Sequence, residues 1–204
     1  MEINKIKSSL LVIVLFQIFI GMLAYANICE NSSLLNTKPV YTYTGIYKNN
    51  AWGYSIEIPQ GLIGGLYQDP NAPQHGIDVI ISKHPYSCVY FYGEANSLEN
   101  EKGKPLSAKE YSIHRISAIK EYAKYILSSD VRKAKLGTYD GYIWSVRYVC
   151  AKNKEVHVYE GVVAIPKERA LVYEVALETT EGRYKKDHSI LKKFTRTFRL
   201  IQWK

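Results

Sequence analysis

The chain has 204 residues, with 27 Lys and Arg against 19 Asp and Glu, a net charge of +8, 18 Tyr and 3 Cys. That is enough for one domain to bury a core of its own, so the fold need not depend on disulfide staples. The positive charge is scattered, and nucleic acid is not an expected partner.

In chain order, residues 1–26 read as a cleavable export signal. Lys5 and Lys7 precede the apolar run Leu10–Leu23, and Ala24-Tyr25-Ala26 sets small residues at the positions a signal peptidase reads. The run is shorter than the ~20 apolar residues of a membrane-spanning helix. Cleavage after Ala26 would leave 178 residues and a charge of +7. It would also place the chain in the periplasm or outside the cell, where anionic lipids and acidic polymers are its first encounters. Residues 27–39 form a polar leader, and residues 40–204 read as a single domain.

Tyr41 and Tyr43 alternate with Thr42 and Thr44, Asn49-Asn50 supplies a turn, and Tyr54–Ile58 alternates again before Pro59. Gly61–Gly76, with four glycines and two prolines, reads as a long loop. Asp78–Ser82 and Cys88–Tyr92 predict a hairpin around His84-Pro85. Ser107-Ala108-Lys109-Glu110 is a capping box opening a helix. Its apolar stripe of Tyr111, Ile116, Ile119, Tyr122 or Ala123 and Ile126 predicts an end at Ser128-Ser129-Asp130. A strand Val131–Leu136 follows, with turns at Gly137 and at Asp140-Gly141. Tyr142–Cys150, Glu155–Ile165 and Ala170–Thr179 continue the meander. A second helix carries Tyr184, Leu191, Phe194 and Phe198 on one face.

The expectation is therefore an α+β fold, an antiparallel meander sheet flanked by two amphipathic helices. The opening Trp52-Gly53-Tyr54-Ser55-Ile56-Glu57-Ile58-Pro59, the strand Val172-Tyr173-Glu174-Val175 and the ending Phe194-Thr195-Arg196-Thr197-Phe198-Arg199-Leu200 resemble the PsbP-like superfamily. That group includes the Mog-type Ran-binding fold and the DcrB-like proteins. The resemblance spans roughly residues 41–200 and implies a sandwich fold and a mostly non-enzymatic, partner-binding role. It marks no functional residue.

Motifs for chemistry are sparse. Gly61-Leu62-Ile63-Gly64-Gly65 lacks the Lys-Ser/Thr of a phosphate-binding loop, and the five His show no zinc spacing, so neither a cofactor nor a metal is expected. Cys88 and Cys150, both in strand-like runs, are the expected disulfide, leaving Cys29 over. His75 and Asp78 could form an oriented general base, with Ser82 on the Asp78 face. Tyr90, Tyr92 and Glu94 share one strand face and Glu155, His157 and Tyr159 another. Were those strands neighbours, they would form an aromatic–ionic patch for a protein or a glycan. Arg132, Lys133 and Lys135 form one basic cluster. Lys185, Lys186, Lys192, Lys193, Arg196 and Arg199 form a second, which reads as a solvated helix face or as a membrane-surface contact.

The functional expectation is an exported, non-enzymatic binding protein, in its specific form a periplasmic immunity or adaptor protein for a secreted partner. The rival expectation is a small periplasmic hydrolase using His75 and Asp78.

Overall fold

A computed structural model describes residues 38–67 and 75–202. The expected signal peptide, Cys29 and the leader as far as residue 37 lie outside the described residues. The elements are β1 (Tyr41–Tyr43), β2 (Gly45–Asn49), β3 (Tyr54–Ile58), β4 (Gly64–Leu66), β5 (Gly76–Ser82), β6 (Ser87–Ala95), α1 (Ala108–Ile119), β7 (Ala123–Leu136), β8 (Tyr139–Cys150), β9 (Val156–Ala164), β10 (Leu171–Thr180), a 3-10 turn (Glu181–Arg183), α2 (Tyr184–Thr197) and β11 (Arg199–Leu200). Eight strands form one antiparallel sheet in the order β1-β4-β5-β6-β10-β9-β8-β7, and β11-β3-β2 form a second, small sheet. The α+β architecture with two flanking helices is the one expected.

Strand alternation divides the large sheet into two faces. One face carries Ile77, Val79, Val89, Phe91, Tyr173, Val175, Leu177 and Val162. It packs under α2 and the small sheet, where Tyr54, Ile56, Phe194 and Phe198 close an aromatic and aliphatic core. The opposite face carries Trp144, Val146, Tyr148, Tyr159, Val163 and Ala176 and packs under Tyr111, Ile116 and Ile119 of α1.

The capping box forms as expected. The Glu110 N–H donates to Ser107 Oγ at 3.3 Å, and the Ser107 N–H donates to Glu110 Oε2 at 2.8 Å. The helix, however, stops at Ile119, and the residues up to Leu136 form one long strand. Two bulges account for the misreading. Ala123, Ile126 and Val131 lie opposite Cys150, Tyr148 and Trp144, so each bulge adds one residue and stretches the inward spacing from two and four to three and five. Those spacings imitate a helical stripe.

Gly61–Gly76 is likewise not all loop, since it contains β4. A Cβ on Gly64 would lie 2.4 Å from Ile77 Cδ1 and 2.9 Å from Ile58 Cδ1, so this glycine serves a close approach of packed strands rather than a turn. Asp140-Gly141 lies within β8, and the β7–β8 turn is Gly137-Thr138.

The expected Cys88–Cys150 bond is not formed. Cys88 is a free, buried thiol. It faces Glu178, which faces Tyr159, which faces Val146. Three strand spacings, about 14 Å, therefore separate it from β8 even before the four residues to Cys150 are added. A disulfide requires Cα atoms within about 7 Å.

Candidate functional site

The α1 side of the sheet gathers buried charged and titratable groups from β6, β9, β10 and α1. Glu174 and Glu178 sit four residues apart on β10, a separation that points both inward, and both side chains are fully buried. A buried carboxylate needs a cation or several donors to compensate its lost hydration. For Glu174 these are the Arg115 guanidinium of α1, with Nε 3.1 Å from Oε2, and the Trp144 indole N–H, which donates to Oε1 at 2.6 Å. Burial pushes the Glu174 carboxyl up. The neighbouring guanidinium, which cannot lose its proton in a protein, favours the ionised form and so works against that shift.

Arg115 also donates to Tyr159 Oη at 3.0 Å and stands 5.6–6.0 Å from the ring centroids of Tyr92, Trp144 and Tyr159. Burial pushes the Tyr159 hydroxyl up to about 12, and the Arg115 charge opposes the shift. Gly161 makes room for the arrangement. A Cβ there would lie 2.7 Å from Glu174 Oε1 and 2.7 Å from Trp144 Nε1.

Beside this pair, Tyr148 donates to Glu178 Oε1 at 3.1 Å, and His157 Nδ1 stands 3.6 Å from the same oxygen. Burial pushes the Glu178 carboxyl up, while His157 and Tyr148 pull it back. Tyr111 of α1 donates to Glu94. Toward β5 the character changes. Asp78 faces Tyr90 across the ladder, close to Cys88 and Tyr67, and burial pushes its carboxyl up to about 7. The Tyr86 and Tyr90 hydroxyls pair at 2.9 Å, and burial pushes the Cys88 thiol up, away from the reactive thiolate.

The structure brings the two expected half-patches to one sheet face. Only β10 separates β6, with Tyr90, Tyr92 and Glu94, from β9, with His157 and Tyr159. Yet the result is an interior, not a surface. Tyr90, Tyr92, His157 and Tyr159 are all at most 6% exposed, and Glu155 stands outside β9 in an exposed turn. The His75–Asp78 dyad does not form. Alternation sends Asp78 to the α1 side, while His75 stacks on Trp52 of the opposite side at 4.4 Å between centroids. The bulge between Ile80 and Ser82 also breaks the alternation that would align Ser82 with Asp78.

Arg115, Trp144, Glu174 and Glu178 went unmarked in the sequence. The signal was present in Leu171–Thr180, where two Glu four residues apart interrupt an otherwise apolar strand. Carboxylates in such a run call for buried partners.

No family model and no curated protein sequence matches the chain. Two solved structures share its fold. The cyanobacterial PsbP (CyanoP) of Synechocystis matches with a TM-score of 0.50 and 14% identity, covering 80% of this chain and 94% of that one. The Ran-binding protein Mog1p of Saccharomyces cerevisiae matches with a TM-score of 0.50 and 9% identity, covering 79% and 97%. The chain therefore shares the fold of PsbP and Mog1p, the resemblance that the end motifs implied.

Proposed function

We propose that the chain is an exported, non-enzymatic binding protein that engages a protein partner, in its specific form a periplasmic immunity or adaptor protein. The observation that carries this reading is the way the sheet's ionisable groups are used. Arg115, Glu174, Tyr159, Glu178, Tyr148 and His157 engage one another under α1. Groups so engaged fix the layers in place and leave recognition to the outer surface. Partner binding on this fold has a precedent in the Ran-binding Mog1p, and export rests on the character of residues 1–26. The hydrolase reading loses its motive with the separation of His75 from Asp78.

The test is affinity recovery of the tagged chain from a periplasmic or secreted fraction, followed by N-terminal sequencing. The expected result is a stoichiometric co-purifying protein and a chain beginning at Asn27. A chain recovered alone under several growth conditions would overturn the binding reading, and an intact Met1 on an exported chain would overturn cleavage.

A further inference from the structure

α2 has two sharply different sides. Its inward residues are Asp187, Leu191, Phe194 and Thr195. At about 100° per residue, Lys185, Ser189, Lys192 and Arg196 stand in one outward row, with Lys186 and Lys193 beside it. All five cations are exposed. Among the described residues none of them is ion-paired, and the single acidic residue of the helix, Asp187, is buried and held by Arg183 at 3.0 Å. Arg199 belongs to a different role, donating to the Arg196 and Phe198 carbonyls at the helix end. Exposed Arg132 of β7 lies close enough to Tyr184 to act on its hydroxyl and extends the same basic flank. Five uncompensated charges thus lie along about 16 Å of helix, in a chain whose net charge is +8.

The composition of the stripe selects its partner. Four of the five cations are Lys, a residue depleted from protein–protein interfaces and uncommon among their hot spots. The large exposed apolar residues all lie outside α2, so the stripe has no aromatic or aliphatic anchor to seat in a protein pocket or in acyl chains. A lipid surface dense in phosphate needs neither. It reads each Lys or Arg additively, at about 1 kcal/mol apiece.

We propose that the outer face of α2 docks this protein electrostatically on the anionic, phosphate-bearing surface of a membrane. The contact is peripheral: no helix among the described residues is long and apolar enough to cross a bilayer. Because α1 lies on the opposite face of the sheet, docking through α2 turns α1 and its neighbouring surface toward the aqueous side.

The experiment is co-sedimentation of the purified exported chain with phosphatidylcholine vesicles, with and without about 30 mol% phosphatidylglycerol. Binding is expected only to the anionic vesicles, and it should disappear between about 0.05 M and about 0.5 M salt as screening shortens the Debye length. K192Q/K193Q should weaken partitioning roughly 25-fold, about fivefold per charge. K192R/K193R should keep it. K109Q/K120Q, which removes two exposed cations from the α1 side, should lower it far less than K192Q/K193Q does. Circular dichroism checks that each variant is folded. Absence of binding at low salt would overturn the proposal, as would binding unaffected by K192Q/K193Q or equally reduced by K109Q/K120Q. Capture on polyglutamate beads without vesicle binding would also overturn it, in favour of an acidic protein partner.

Discussion

Each side of the large sheet carries a buried cluster, held together by different physics. Beneath α2 and the small sheet, Tyr54, Phe91, Tyr173 and Phe198 meet at centroid separations of 4.6–6.4 Å in an aromatic core. The buried carboxylates on that side lie at the first turns of α2, where Thr179 and Arg183 hold Asp187 and Tyr184 and His188 hold Glu160. Beneath α1, by contrast, the ionic pair sits among the aromatics, with Arg115, Glu174 and Trp144 in mutual contact. Apolar packing tolerates many partners. A buried ion pair tolerates very few, so the α1 side fixes where its helix sits more strictly than it adds to stability.

That contrast can be broken by mutation. On the α2 side, Phe198→Ala should cost about 3–5 kcal/mol through lost burial and a residual cavity. On the α1 side, Arg115→Ala should cost about as much, roughly 3–5 kcal/mol, because the buried Glu174 carboxyl is left without its partner. The two losses should then respond differently to a second change. Replacing Arg115 and Glu174 together by Met and Leu should restore most of the stability, since both desolvation penalties vanish. Denaturant unfolding of the three variants decides the matter. A double variant no more stable than Arg115→Ala would show that the pair contributes net stability and is not mainly a positioning device.

Gly161→Ala sharpens the same point at somewhat smaller cost. The added methyl meets both Glu174 Oε1 and the Trp144 indole at 2.7 Å, and should destabilise the protein by about 2–3 kcal/mol. Tryptophan fluorescence should shift as the indole is displaced from Glu174. An unchanged spectrum and midpoint would mean that the pair relaxes freely.

The α2 side was legible because its signals are local. Tyr54–Ile58 alternates, and Leu191, Phe194 and Phe198 repeat at helical spacing. The α1 side was legible only in part, because its pairings are remote. Arg115 finds Glu174 across 59 positions, and nothing within α1 distinguishes this arginine from a solvated one. Tyr90, Tyr92 and Glu94 follow from alternation along β6, and His157 and Tyr159 along β9, but alternation fixes the side of a strand and not what lies over it, and Glu155 stands outside β9. The bulges of β7 defeated periodicity altogether. The third strand of the second sheet depends on Arg199 and Leu200 returning to Ser55 and Tyr54, a two-residue contact too short to leave a pattern.

Asp78 offers a smaller effect, and one with a pH signature. Its carboxyl is pushed by burial from 3.8 to about 7, beside Tyr67, Cys88 and Tyr90. The folded state therefore holds the proton more tightly than the unfolded chain. Its favourable contribution is complete below about pH 4 and is lost as pH rises through 7. Asp78→Asn should leave stability nearly unchanged at pH 4 and raise it at pH 8 by about 1–2 kcal/mol, allowing for partial hydration of the site. Melting temperatures at the two pH values test this. A stabilisation equal at both would show that Asp78 is already ionised at pH 4 in the fold.

The smallest effect concerns how α1 is delivered to its ion pair. Ser107 caps the helix eight residues before Arg115, and Asn100 Nδ2 donates to Glu110 Oε1 at 3.3 Å, tying the preceding loop to the same turn. Ser107→Ala removes one acceptor from the orphan N–H groups of the first turn and should cost about 1 kcal/mol. Ser107→Asp supplies another acceptor and should cost almost nothing. The informative readout is amide hydrogen exchange along α1. If the cap governs only the first turn, Ser107→Ala accelerates exchange near Tyr111 and leaves the residues around Arg115 protected by the Glu174 pair. If protection falls evenly along the helix, the ion pair does not anchor α1 independently, and the contrast between the two sides of the sheet is weaker than the burial of Arg115 implies.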